Sequence, residues 1–116
     1  MKNDVEIIDI LLDYCDEIQY DLSKINGDID DFLEDRTVQR SCSFSLFQIG
    51  EFVKRLSSET REKYDDIDWR GIAGMRDVIA HGYDEIIVEE LWIVINKDVP
   101  VFKQSLVAIK NKLKNN

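Results

Sequence analysis

The sequence of 116 residues is long enough for one folded domain and too short for two. Hydrophobic residues make up 44% of it and charged residues 34%, which excludes both a disordered chain and a membrane protein. Taken alone, the net charge of −9 argues against nucleic acid as a partner, because such binding depends on Lys and Arg that neutralise phosphates, but the uneven distribution of the charge weakens this objection. We expect one soluble domain over residues 1–116, located in the cytoplasm because residues 1–4 begin no signal peptide.

The first half of the chain predicts two long amphipathic helices, because apolar residues recur there at alternating steps of three and four. The first runs from Asp4 to Ile25 and the second from Val38 to Leu56. Between them, Asn26-Gly27 suits a helix C-terminus, and the apolar residues at 29–33 indicate a short helical turn. A further short helical piece is expected at 59–64.

The second half predicts two more helices. Asp68 suits the N-cap of a third helix from Trp69 to about His81, which Gly82 would end. The last helical segment begins at Val88, and Pro100 must kink or restart it because proline has no backbone N–H to donate. Four amphipathic helices with short connections predict an all-α fold, an up-and-down four-helix bundle with short extra helical segments.

Both cysteines, Cys15 and Cys42, lie among apolar residues at helical spacing, without a CxxC pair or a Cys/His cluster. A structural zinc site needs four ligands, which two cysteines and one histidine cannot supply. We predict two buried reduced thiols rather than a disulfide, because cytosolic thiols are normally kept reduced. The sequence gives no reason to expect a metal ion or a cofactor.

The acidic residues are concentrated in the first third of the chain. Residues 1–35 hold 12 acidic and 2 basic side chains (−10), residues 36–81 hold 7 and 8 (+1), and residues 82–116 hold 5 and 5 (0). The acidic third is either a solvated helix face or a docking surface for a basic partner. The following cations would bind phosphate if the helices bring them together: Arg36, Arg40, Lys54, Arg55, Arg61, Arg70 and Arg76.

The only histidine, His81, comes directly before Gly82, where a helix dipole would favour its charge, so the residue is either structural or catalytic. Arg76 and His81 are five residues apart, which is ~140° around an ideal helix. They converge only if the helix ends between them or a second chain contributes. By default, Asp77 is a surface carboxylate paired with arginine, and Tyr83 is a half-buried aromatic with its hydroxyl at the surface.

The run Arg76-Asp77-x-x-x-His81-x-Tyr83 resembles the R-[N/D]-x-x-x-H-x-Y signature of HEPN-superfamily ribonuclease toxins, specifically the HepT-like family. Further similar features are Ile49-Gly50-Glu51, Trp69-Arg70-x-Ile72-Ala73-Gly74-Met75, Leu91-Trp92 and Asp98-Val99-Pro100. The resemblance covers most of the chain. It implies a HEPN-like helical bundle that forms a homodimer, in agreement with the fold expected from periodicity.

The resemblance also implies a function, metal-independent RNA cleavage by attack of the 2′-hydroxyl on the adjacent phosphate. His81 would act as general base or acid, Arg76 would bind the phosphate oxygens, and Asp77 would orient one of them. Pairing across a two-fold axis would bring two copies of Arg76 and His81 into one cleft. In such type VII toxin-antitoxin modules the partner is a small MntA-like nucleotidyltransferase antitoxin, which would attach AMP units to Tyr83 and so repel RNA.

Two other functions use the same residues without cleaving RNA. In the first, a non-enzymatic HEPN module would use Arg76 and His81 to bind a nucleotide or a partner's phosphate. In the second, the chain would be a structural dimerisation domain. An RNA cleavage assay with EDTA present separates the ribonuclease from both, and titration with nucleotides separates the two alternatives from each other.

Overall fold

The computed structural model of the chain describes residues 3–82 and 88–115, and from 76 to 82 it describes the backbone alone. These residues form helices α1 (Asp4–Ser23), α2 (Ile29–Glu34), α3 (Arg36–Val53), α4 (Ser58–Lys63), α5 (Trp69–Gly82), α6 (Val88–Ile93) and α7 (Val99–Lys114). No strand occurs in this part of the chain. The predicted all-α class is confirmed.

The long helices α1 and α3 lie where the apolar periodicity predicts them, with ends that differ by two or three residues. Helix α3 begins at Arg36, two residues before the predicted start, because the Asp35 carboxylate accepts a hydrogen bond from the Val38 N–H at 3.0 Å and caps the helix. It ends at Val53, although Leu56 is buried. The periodic pattern overran the helix because a residue in the following turn still packs into the core.

Pro100 restarts the last helical segment through a π-helical turn at Val94–Asp98, directly before α7. In an α-helix the proline ring would clash with the carbonyl four residues earlier and would leave it without a donor. In the wider turn the Val99 N–H donates to the Val94 carbonyl, five residues back. The chain therefore changes its helical geometry here without an intervening loop.

Helix α3 occupies the centre of the bundle, since it packs on both α1 and α5, and α1 also packs on α7. The fully or almost fully buried side chains of the core include Ile8, Leu11, Cys15, Ile18, Cys42, Leu46, Ile49, Val53, Leu106 and Ile109. Within the described residues, no helix combines the length and the apolar composition that a membrane span requires.

Cys15 and Cys42 are both free and completely buried, as predicted. Burial raises the pKa of each thiol to about 12, with a smaller contribution from the neighbouring carboxylates of Asp16 and Asp21. At neutral pH both residues are therefore protonated, apolar parts of the core and poor nucleophiles.

The N-terminus of α1 is tied to the start of α4 by the carboxylate of Asp4. This carboxylate accepts hydrogen bonds from the Ser57 N–H at 3.0 Å, the Ser57 hydroxyl at 2.6 Å and the Thr60 hydroxyl at 2.5 Å. Partial burial opposes its ionisation, but the hydrogen bonds, together with the nearby charge of Arg61, outweigh burial and lower the pKa of Asp4 below its ordinary value of 3.8. Ionised Asp4 thus connects two elements that are more than fifty residues apart in sequence.

We expect Asp4→Asn to lower the free energy of unfolding by about 1 kcal/mol at neutral pH, because charge-assisted hydrogen bonds are lost. A carboxylate whose pKa is lowered by folding stabilises the protein above its unfolded pKa, and this contribution is lost as the pH falls through the folded pKa. The difference between wild type and Asp4→Asn should therefore shrink as the pH is lowered below 3.8. Urea denaturation at several pH values measures it.

The control is Glu6→Gln, which makes the same change of charge in the same first turn of α1 at an exposed residue. It should leave the free energy of unfolding nearly unchanged at every pH. An Asp4→Asn protein as stable as wild type at neutral pH would show that the Asp4 connection contributes nothing.

Candidate functional site

Helix α5 carries the motif residues Arg76, Asp77 and His81, and it extends from Trp69 to Gly82 as predicted. The side chains of these three residues lie outside the part that the structure describes, and Tyr83 lies outside the described residues altogether. What the structure does give is the backbone that holds the motif and the side chains that fix the first turns of α5.

The start of α5 is capped by Asp68, as the sequence predicted. The Asp68 carboxylate accepts a hydrogen bond from the Gly71 N–H at 3.0 Å, and the Asp68 carbonyl accepts one from the Ile72 N–H at 3.0 Å. A Cβ atom at residue 71 would collide with the Asp68 carboxylate. Glycine at this position therefore leaves room for the Asp68 carboxylate in the orientation that it adopts here.

Trp69 anchors the same end of α5 in the core. Its side chain is 7% exposed, and its indole N–H donates a hydrogen bond to the Tyr64 carbonyl at 3.0 Å. Its ring meets the ring of Phe102 on α7 edge to face, with 6.0 Å between the centroids. The half-buried Ile72, Ala73 and Met75, which also pack against the core, extend this contact up to the residue before Arg76.

The course of α5 bears on how Arg76 and His81 could meet. The helix does not end between them, since it continues to Gly82. The two backbone positions are therefore ~140° apart around the axis and ~7.5 Å apart along it. An early helix end, one of the two routes by which the residues could converge within one site, does not occur.

Arg36 and Arg40 both lie in the first turns of α3 with exposed side chains. Arg36 lines an open groove of 570 Å³ together with Lys24. Three carboxylates line the same groove, those of Asp31, Glu34 and Asp35. They partly offset the positive charge of Arg36.

A second groove, of 680 Å³, was missed by sequence reasoning. It lies between α3, α5 and α7, and Met75, the residue before Arg76, is part of its wall. The other apolar wall residues include Ile49, Ile72 and Phe102. No sequence signal could have indicated this groove, because its walls come from three helices far apart in the chain. Among the described residues, no group of His, Cys, Asp or Glu side chains could hold a metal ion.

Comparison with known proteins relates the chain to ribonucleases. The model of a family described as "Ribonuclease HepT-like" matches residues 6–109. A relative from Caldanaerobacter subterraneus subsp. tengcongensis, named "Putative RNase TTE0752", is 34% identical over 99 residues, which are 84% of this chain and 88% of the relative. No solved structure is a significant match.

Two further relatives come from archaea. "Putative RNase MJ0127" of Methanocaldococcus jannaschii is 44% identical over 69 residues, 59% of this chain and 57% of the relative. "Probable ribonuclease HepT" of Thermococcus cleftensis is 28% identical over 103 residues, 89% of this chain and 86% of the relative. Both the family match and two of the three relatives thus span most of the chain.

The cap of α5 can be tested by a double-mutant cycle at Asp68 and Gly71. We expect Asp68→Ala to lower the free energy of unfolding by about 1 kcal/mol, and Asp68→Asn, which keeps an acceptor oxygen, to lower it much less. Gly71→Ala should have little effect alone, because the gain in helix propensity is offset when the new methyl group displaces the Asp68 carboxylate. In the Asp68→Ala background it should stabilise by about 0.5–1 kcal/mol.

Urea denaturation of the wild type, the two single variants and the double variant measures the coupling. Two changes that simply add would contradict the contact between the carboxylate and residue 71. Far-ultraviolet circular dichroism provides the control that each variant keeps its helical content.

Proposed function

Because the chain belongs to the ribonuclease HepT-like family, we propose that it is the toxin of a toxin-antitoxin pair and cleaves RNA in the cytoplasm. The observation that carries this proposal is the extent of the family match, residues 6–109, which includes the whole run from Arg76 to Tyr83. The names of the relatives point to the same activity. In this proposal residues 1–116 act as a single HEPN-like domain.

The proposed reaction is a transesterification within the RNA strand. The 2′-oxygen attacks the neighbouring phosphorus, the bond from phosphorus to the 5′-oxygen breaks, and a proton passes from the 2′-hydroxyl to a base and from an acid to the leaving oxygen. His81 suits these proton transfers because the reference pKa of histidine is near neutrality. Arg76 would stabilise the charge that builds on the non-bridging oxygens, and Asp77 would orient Arg76 or the imidazole.

We place the site between two copies of the chain. Since α5 is unbroken through residues 76 and 81, these two backbone positions lie ~140° apart around the helix of one chain. A two-fold axis near α5 would bring Arg76 of one protomer to His81 of the other, and it would do so twice. The exposed Arg40 and Arg36 would bind phosphates of the same RNA strand beyond the cleavage position.

We further propose that a nucleotidyltransferase antitoxin neutralises the toxin by attaching AMP to Tyr83. Residue 83 follows directly after α5, two residues from His81, so an adduct there would stand beside the proposed site. The added phosphates would repel the phosphates of RNA, and the adenosine would occupy space that the strand needs.

The shared site predicts how inactive variants behave when they are mixed. Arg76→Ala and His81→Ala should each lower RNA cleavage ~10²- to 10⁴-fold with EDTA present, while helical content and dimer mass remain. After subunit exchange, an equal mixture of the two variants should recover about a quarter of wild-type activity, because each mixed dimer contains one complete Arg/His pair.

The matched control is the mixture of wild type with the double variant Arg76→Ala/His81→Ala. Each mixed dimer would then have two incomplete sites, so an excess of the double variant should extinguish activity. If this mixture instead kept half-active dimers while the two single variants failed to complement each other, both residues would come from the same chain. Binding of RNA without any cleavage by the wild type would identify a non-enzymatic HEPN module.

For the modification, we expect Tyr83→Phe to retain substantial nuclease activity and to gain no AMP mass in the presence of the antitoxin and ATP. Phenylalanine keeps the ring but lacks the nucleophilic oxygen, and a phenol with a pKa near 10 is a poor general base at neutral pH. Intact-protein mass spectrometry decides the question. An AMP-sized increment on Tyr83→Phe, or one found only on another residue of the wild type, would overturn the role of Tyr83.

A further inference from the structure

The outer side of α1, opposite its buried stripe, carries aromatic rings and carboxylates side by side. A shallow groove of 700 Å³ runs along this side, and its lining includes Asp13, Tyr14, Glu17, Tyr20 and Phe52. We call this surface, together with the adjoining Phe44 of α3, the acidic-aromatic face. The catalytic proposal for α5 uses none of these residues.

Two aromatic rings of this face are largely exposed, whereas Tyr14 and Phe52 are half-buried. Tyr20 is 60% exposed and Phe44 is 57% exposed. Tyr14 connects the two helices that form the face, since its ring centroid lies 6.3 Å from that of Phe44 and 6.3 Å from that of Phe52. Large rings that stay in water at one place on a surface are typical of a site where another molecule binds.

Three carboxylates line the groove, those of Asp13, Asp16 and Glu17. Asp16 pairs with Lys103 of α7 at 2.7 Å, and Asp9, which lies earlier on α1, pairs with Lys110 at 2.5 Å. Asp13 and Glu17 form no ion pair with any residue that the structure describes. The groove therefore keeps negative charge beside its rings.

Two rings of the face already bind cations of the same chain. The Lys24 ammonium lies 4.5 Å from the centroid of the Tyr20 ring, and the Arg55 guanidinium lies 4.6 Å from that of Phe52. A cation over an aromatic face gains from the negative charge of the ring, and a nearby carboxylate adds to this attraction. The chain's own residues thus demonstrate which side chains fit these rings.

From the exposed rings, the unpaired carboxylates and these cation contacts, we propose that the acidic-aromatic face docks a lysine- and arginine-rich segment of a partner protein. Cationic groups of the segment would sit over the rings between Asp13 and Glu17, while their aliphatic stems would cover the apolar part of the groove. This proposal does not depend on the nuclease activity, because it concerns binding alone.

Charge disfavours two other occupants of this face. RNA would bring phosphates to the region that carries −10 over residues 1–35. A second copy of the chain, docked by the same face across a two-fold axis, would oppose two such regions. No residue of α5 lines the groove, so a segment confined to the groove would not occupy α5.

The test uses the whole protein and a fluorescein-labelled synthetic peptide. The peptide carries leucine at steps of three and four residues and lysine or arginine at the positions between. We expect the peptide to bind at micromolar concentration in moderate salt, as measured by fluorescence anisotropy. Asp13→Asn/Glu17→Gln should weaken binding at least about 10-fold, because two carboxylate partners of the cations are lost. Phe44→Leu, which keeps an apolar side chain but removes the ring, should weaken it about 2- to 5-fold.

The matched control is Asp30→Asn/Asp31→Asn, which also removes two negative charges from the acidic third. Both residues are exposed, lie on α2 and do not line the groove. Its binding should stay within about 2-fold of wild type. Equal weakening by both double variants would show that the net negative charge attracts the peptide without a specific site, and it would overturn the proposal. Absence of binding to the wild type would overturn it as well. A dimer that dissociates on Phe44→Leu, seen by light scattering, would overturn it by assigning the face to the contact between copies.

Discussion

The continuity of α5 from Trp69 to Gly82 is the constraint on which the account of the site depends. An α-helix fixes the angle between any two of its residues, and five residues correspond to ~140°. A kink or an early C-cap would have relaxed this angle and allowed one chain to hold a complete Arg/His pair. Because α5 does not end between residues 76 and 81, the proposed chemistry is supplied with its Arg/His pair most simply by two copies of the chain.

Because the site depends on the course of α5, the contacts that fix the start of this helix matter although they lie far from the motif. The capping carboxylate of Asp68, the room that Gly71 leaves for it and the anchored indole of Trp69 hold the first turn. A rigid helix transmits a fixed first turn to its last turn with little loss. A site shared between two copies is sensitive to the orientation of α5, because a tilt of this helix would displace residues of both protomers.

Much of this architecture could be predicted from the sequence because it rests on local patterns. The periodic apolar stripes predicted α1 and α3, and Asp68 at the expected N-cap predicted the start of α5. The π-helical form of the turn before Pro100 could not be predicted, because over five residues its periodicity hardly differs from that of an α-helix. The motif named Arg76 and His81 as candidates, but no pattern in one chain shows which copy supplies each residue.

The features that escaped prediction join residues that are distant in sequence. Asp4 meets Ser57 and Thr60 only after the bundle has formed, and the groove beside Met75 has walls from three helices. The acidic third illustrates the same limit, because the charge count alone left both a solvated face and a docking surface open. Exposure of Tyr20 and the edge contact of Tyr14 with Phe44 are tertiary facts, and they favour the docking surface.

The two proposed binding surfaces, the acidic-aromatic face and the RNA site on α5, differ in charge. The acidic-aromatic face carries carboxylates that would attract cations and repel RNA, and no residue of α5 lines its groove. A basic segment confined to this groove would therefore not compete with RNA for Arg76 of α5. If the partner is the proposed antitoxin, the docked segment itself would not fill the proposed cleft, and a chemical change beside that cleft would be a separate means of neutralisation. Attachment of AMP to Tyr83 is a change of that kind, because it adds negative charge beside His81 and leaves the docking surface as it was.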